Sequence, residues 1–241
     1  MKLTETSGMD KIVCGRSELP LRVAEELQKI FALHRNDPVL FLFSGGSALS
    51  PLEAVVWDKL PKNISVAPFD ERLSPDLFHR NVTGFLKTKF AVAMQKNNVF
   101  LFNPLQEAPD NPAEVYDTYL KTWKKSNPRG VIIALLGVGG DCHIGGVFPT
   151  SNKGVFNRLF LDKDTRVVRY RAPAAPVWPL RLTVTLSFLK DEIGEALVYV
   201  SGEAKREALS RILSANEEVF RAPAVILNSV SRALLYTDIT G

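Results

Sequence analysis

The chain has 241 residues, 46% hydrophobic and 23% charged, a balance that excludes disordered and fibrous classes and fits one α/β domain spanning residues 1–241. Its formal charge of +4 is spread without any long basic run, so a nucleic-acid partner is not expected, whereas a pocket for an anionic metabolite is. Cys14 and Cys142 are too few for a disulfide framework and form no metal-ligand spacing. MKLTETSGMDKIVCG, at the N-terminus, lacks a signal peptide's apolar core, and no stretch reaches the ~20 apolar residues of a membrane span, so the expectation is a cytoplasmic protein with no membrane partner.

Apolar positions recurring at three and four predict a helix over 21–35, and the β-rich run PVLFLF predicts a buried strand at 38–43. The loop SGGSALSP, 44–51, follows and should open a helix with Ser50 as N-cap and Pro51 at the first helical position. Further on come a strand at 63–69, a polar loop at 69–81, a helix at 81–94 and a strand at 98–102. A helix at 112–125 precedes the most apolar strand, 130–137, and a glycine-rich loop at 137–149. The Pro-rich stretch 171–179 reads as a connection, before strands at 181–186 and 196–202 and a helix at 203–213. Strands alternating with helices predict a Rossmann-like, doubly wound, mainly parallel sheet with helices on both faces. In such a fold a ligand sits beyond the carboxyl ends of the strands, which directs attention to the three loops that follow strands.

Gly45 and Gly46 allow the backbone of the first loop to approach a ligand closely, while Ser44 and Ser47 offer hydroxyls and the helix start offers free N–H groups. The glycine spacing is neither that of a P-loop nor GxGxxG, so a small phosphate ester fits better than a nucleotide. In the second loop Asp70, Glu71 and Arg72 emerge together; a guanidinium binds phosphate, and carboxylates can orient it or take sugar hydroxyls. His79 lies close enough in sequence to line the same pocket, and His34 falls at a helix end.

The third loop, GVGGDCHIGGVFP, places Asp141 and His143 two residues apart, on one side of an extended segment with Cys142 on the other. A carboxylate held against one imidazole nitrogen fixes the tautomer and leaves the second nitrogen as a general base. A Cys142 nucleophile paired with His143 is disfavoured because neighbours in an extended loop face apart.

The ordered segments SGGSALSPLEAV, FDERLSPDLFHRN, LLGVGGDCHIGGVFP, RLTVTL, VSGEAKREAL and APAVIL resemble the family of 6-phosphogluconolactonases and glucosamine-6-phosphate isomerase/deaminases. DER and the Phe148–Pro149 pair resemble the lactonase branch; the deaminase branch typically has DEY and a catalytic acid in FNE. The resemblance implies hydrolysis of 6-phosphoglucono-δ-lactone without metal or cofactor, in the oxidative pentose phosphate route. It makes His143 the base for water attack and Asp141 its orienting partner, with Arg72, Lys205 and the Ser44–Ser47 loop holding the phosphate. Lys205 would stand in the first turn of a helix, where an anion is already favoured. The chain departs from the family at DCH, where DGH is usual; at Ile144, Gly145 and Gly146; and at HRN followed by Val82. An isomerase or deaminase acting on an amino-sugar phosphate, and a non-catalytic sugar-phosphate sensor, are the alternatives, in a monomer or small homo-oligomer.

Overall fold

A computed structural model describes residues 9–56, 60–175 and 177–240. Residues 1–8 of the segment tested for a signal peptide, and Pro176 of the Pro-rich connection, lie outside the described residues.

Seven strands form an all-parallel sheet: β1 (Met9–Val13), β2 (Pro38–Phe43), β3 (Asn63–Pro68), β5 (Phe100–Leu101), β6 (Val131–Gly137), β9 (Glu195–Val200) and β10 (Ala233–Thr237). Their order across the sheet is β1-β10-β9-β6-β2-β3-β5. From β2 the chain steps to β3 and β5 on one side, then crosses to β6, β9 and β10 on the other. The reversal lies between β2 and β6, which pair along Val39–Phe43 and Val131–Leu135. Loops leaving adjacent strands in opposite directions leave a crevice at that point.

Side-chain alternation along each strand feeds two cores. Phe41, Phe43, Ile133 and Leu135 face α1 (Leu19–Leu33), α2 (Asn81–Phe85) and α3 (Lys89–Lys96). Leu40, Leu42, Ala134 and Leu136 face α5 (Pro112–Ser126), α6 (Lys153–Phe160), α7 (Leu186–Asp191) and α8 (Arg206–Ser214), while α4 is the short turn Pro104–Glu107. The doubly wound arrangement read from the strand and helix alternation is therefore present. No helix among the described residues is long and apolar enough to cross a membrane.

Several local expectations change. The helix expected over 81–94 is two helices, because the Thr88 hydroxyl accepts the Ala91 N–H and starts α3 anew after α2 has ended at Phe85. Ser50 is not an N-cap: a 3-10 helix already runs from Gly46 to Glu53, Gly45 occupies its N-cap position, and Pro51 lies inside it. The run RLTVTL does not join the parallel sheet. Its strand β8 (Leu180–Val184) pairs antiparallel with β4 (Asp70–Arg72) and β7 (Val167–Arg171), making a separate three-stranded sheet. This second sheet stands next to the crevice and supplies part of its wall.

Candidate functional site

A cavity of about 270 Å³ occupies the crevice, and its wall is built from the ends of β2, β6 and β8, from β4 and from the start of α8. Ser44, Gly45, Gly46 and Ser47 line one side of it. No side chain caps the 3-10 helix that starts at Gly46, so its first N–H groups are free at the cavity. Moving the helix start from Ser50 to Gly45 thus brings the anion-attracting end into the loop itself. Gly45 has to be glycine for a steric reason: a Cβ there would lie 2.1 Å from Asn81 Oδ1.

Asp70, at the start of β4, is buried and receives the Asn81 Nδ2 hydrogen bond at 2.9 Å. Burial pushes its carboxyl upward, against the pull of the nearby Arg181 and Arg72 guanidiniums and of His143. Glu71 next to it points away. Fully buried, it accepts the backbone N–H groups of Arg72, Asn81 and Val82 at 2.7, 2.5 and 2.9 Å, anchoring the first turn of α2. Its role is structural, and it is not free for sugar hydroxyls. Burial raises its carboxyl to about 7 in spite of those three donors.

Three cations face the cavity: Arg72, Arg181 and Lys205. Arg72 Nη1 donates to the His79 carbonyl at 3.1 Å and Arg181 Nη2 to the Val177 carbonyl at 3.1 Å, so each is steadied by one rim segment. Burial lowers the affinity of Arg181 for its proton, with Asp70 opposing, and lowers that of Lys205, with Asp238 opposing. Lys205 closes a short 3-10 turn and sits at the N-terminal edge of α8, one residue before the helix proper. The His79 ring is not part of the cavity wall; it packs against Trp178, 5.5 Å between centroids, and near Asp76. His34 pairs with Asp37 at 3.0 Å at the end of α1.

The third loop brings Asp141 and His143 together by a route other than the expected one. Residues 139–142 form a turn, with the Cys142 N–H bonded to the Gly139 carbonyl at 3.0 Å, and Cys142 has φ +72°. That left-handed residue, not an extended segment, turns the two side chains onto each other. Asp141 Oδ1 lies 2.6 Å from His143 Nδ1 and also accepts the His143 backbone N–H at 3.2 Å. Burial acts to raise Asp141, yet its bonds with His143 hold it below the usual carboxylate value. The imidazole stacks on Phe148, with centroids 4.4 Å apart and planes at 23°. His143 lines the cavity, whereas Asp141 does not.

Cys142 itself is buried, and its Sγ approaches the Ala208 carbonyl at 3.7 Å on the core side, so it does not face the cavity as a nucleophile would. A non-glycine residue at positive φ costs roughly 1–2 kcal/mol. The bond from the Ala224 N–H to the Cys142 carbonyl at 3.0 Å and the enclosure of the thiol hold the conformation in place.

The candidate residues Ser44, Gly45, Gly46, Ser47, Asp70, Arg72, His143 and Lys205 all line this one cavity. Sequence reasoning missed Arg181, Asn81 and Phe148. Arg181 left a signal, the one charge in an otherwise uncharged strand run; Asn81 and Phe148 left none that distinguishes a wall residue from a loop polar or a core aromatic. Among the described residues no group of three or more His, Cys, Asp or Glu is arranged to hold a metal ion.

The family model described as "Glucosamine-6-phosphate isomerases/6-phosphogluconolactonase" matches residues 16–236. No curated protein matches the sequence. Among solved structures, the chain is similar to a 6-phosphogluconolactonase from Thermotoga maritima, with 19% identity over 96% of this chain and 99% of that one, and a TM-score of 0.72. The enzyme of that name from Plasmodium vivax is 16% identical over 99% and 94% of the two chains, with a TM-score of 0.78. A monomeric glucosamine-6-phosphate deaminase is 21% identical over 94% and 96%, with a TM-score of 0.67.

Proposed function

The chain belongs to the glucosamine-6-phosphate isomerase/6-phosphogluconolactonase family, and from that premise we propose that it hydrolyses 6-phosphoglucono-δ-lactone to 6-phosphogluconate, a step of the oxidative pentose phosphate route. The observation that carries this reading is His143, paired with Asp141 at 2.6 Å, on the wall of a cavity whose other walls carry three cations and an uncapped helix start.

The two halves divide the work. Arg72, Arg181, Lys205 and the Ser44–Ser47 loop meet the phosphate dianion, since guanidiniums and free backbone N–H groups bind its oxygens directionally. Asp141 accepts the Nδ1–H of His143 and leaves Nε2 unprotonated towards the cavity. Nε2 takes a proton from water as its oxygen attacks the lactone carbonyl; collapse of the tetrahedral intermediate breaks the ring C–O bond, and the proton returns to the leaving ring oxygen. One water is consumed, and a carboxylic acid and a hydroxyl result.

Purified protein is expected to accelerate the hydrolysis of freshly made lactone, and His143→Ala to lose roughly 10²–10⁴ of that rate. Unchanged turnover in the variant would refute the mechanism. Pro149 follows Phe148 where the deaminase branch carries a glutamate, which speaks against release of ammonia from glucosamine 6-phosphate; detecting that release would reassign the chain. Binding of 6-phosphogluconate with no hydrolysis would mark a sensor.

A further inference from the structure

A general base must be held by more than one contact. The Asp141–His143 bond fixes Nδ1, but the imidazole can still pivot about the N···O line, and its side chain is 31% exposed on the cavity side. The face-on stack with Phe148 blocks that pivot, because turning the ring out of its 23° relation to Phe148 would drive its edge into the phenyl face. Two contacts therefore remove two different freedoms, and the orientation of Nε2 depends on where Phe148 is held.

Phe148 is held by the small sheet. The Tyr170 hydroxyl donates to the Gly146 carbonyl at 2.6 Å, and the same oxygen accepts the Phe148 N–H at 3.2 Å, so one atom bridges both ends of the Gly146–Phe148 segment. Opposite Tyr170 on the antiparallel ladder is Arg181, whose guanidinium lies 5.1 Å from the centroid of the Phe148 ring. The neighbouring Thr183 accepts the Gly146 N–H through its hydroxyl at 3.1 Å. Tyr170 is fixed in turn by an edge contact with Phe160, 4.9 Å between centroids, and burial raises its phenol to about 12, so it stays a donor at neutral pH.

We propose that Tyr170 is a positioning residue for the base: its hydroxyl clasps the Gly146–Phe148 turn and, through the Phe148 ring, sets the plane of His143. This inference rests on the lactonase reading for its kinetic consequence, but not for its structural one. Tyr170→Phe removes one oxygen and leaves the ring against Phe160. Removing one hydrogen-bonded hydroxyl corresponds to roughly a tenfold effect. The expected result is a kcat roughly tenfold lower, with KM for the lactone and the affinity for 6-phosphogluconate within about twofold of the parent, since Arg72, Lys205 and the Ser44–Ser47 loop stand apart from this clasp and Arg181, the cation of the three that packs on Phe148, stays held by the Val177 carbonyl.

Nitrogen NMR of the His143 ring gives a readout that a purely structural role would not move. The parent is expected to show one tautomer with a slowly exchanging Nδ1 proton, and Tyr170→Phe a broadened or averaged signal at an unchanged melting temperature. Phe148→Leu, which keeps an apolar side chain but not a flat one, should reproduce both changes and stands in if Tyr170→Phe fails to fold. Unchanged His143 resonances and unchanged kcat in a folded variant would overturn the proposal, as would a loss confined to KM. If the parent hydrolyses no lactone, the functional reading fails, while the NMR comparison still decides the role of Tyr170.

Discussion

Gly139 lies under the Asp141–His143 pair, and the space there leaves no room for a methyl group. A Cβ at this position would stand 2.1 Å from both Cε1 and Nδ1 of His143 and 2.6 Å from Asp141 Oδ1. Ordinary contact begins near 3.4 Å, so in Gly139→Ala the imidazole has to retreat by more than an ångström and the 2.6 Å bond to Asp141 has to break. Both side chains border solvent, at 31% and 44% exposure, so they can swing outward at a cost to folding of about 1 kcal/mol or less. A misplacement of about 1 Å in a reacting group costs on the order of 10² in rate. The variant is therefore expected to keep its melting temperature within a few degrees and its affinity for 6-phosphogluconate, while kcat/KM for the lactone falls about a hundredfold. Gly140→Ala is the matched control, since its methyl would meet only the Ala204 carbonyl, at 3.2 Å, and small shifts absorb it. A folded Gly139→Ala with parental kcat would refute the claim that this pair, in this geometry, performs the chemistry.

The cationic side of the cavity gives a separate signature. Lys205→Met should weaken 6-phosphogluconate binding by roughly 10- to 100-fold in calorimetry, the range for one charge-assisted hydrogen bond, and leave the His143 ring resonances alone. Glu71 sets a pH dependence of stability. Burial raises its carboxyl to about 7, above the ordinary 4.5, so the native state holds its proton more tightly than the unfolded state does. Its contribution to stability is therefore greatest below pH 4.5 and declines as the pH rises towards 7. Denaturant melts of the parent and Glu71→Gln should show a stability difference that shifts against the parent across that window, and parallel curves would contradict it. Cys142, enclosed and with its thiol raised to about 11, should resist alkylation in the native protein and react once unfolded, as followed by mass spectrometry; labelling as fast as that of partly exposed Cys14 would show that the 139–142 turn opens readily.

The strands that stack in the middle of the parallel sheet were the legible ones. PVLFLF, NISVAP, VIIALLG and EALVYV are buried on both faces, and burial on both faces writes a continuous apolar run into the sequence. Of the strands missed, those at 70–72 and 167–171 are short and carry charge, and belong to the small sheet, while those at 9–13 and 233–237 are five-residue strands at one side of the parallel sheet. A run such as RLTVTL advertises a strand but not its partner, so its membership of the second sheet was invisible. The break between α2 and α3 came from a single hydroxyl, that of Thr88, competing with an apolar periodicity that continues past it.

For the site, the sequence by itself pointed to the loops that line the cavity, because in an open α/β sheet the loops beyond the carboxyl ends of the strands meet at the crevice. It also determined that Asp141 and His143 are close, since a single residue separates them in the chain. Tertiary structure alone decided three matters. It placed Ser44, Arg72, Lys205 and His143 around one volume, because the crossing from β5 to β6 puts distant loops side by side. It spent Glu71 on the α2 turn and kept its neighbour Asp70 on the wall, because adjacent residues of a strand point to opposite faces. And it recruited Arg181 and Tyr170, whose parts depend on antiparallel pairing across a sheet whose partners are far apart in the chain. Local pattern records what a residue's immediate neighbours require; which residues meet across the crevice is fixed by strand order, and no short stretch of sequence contains it.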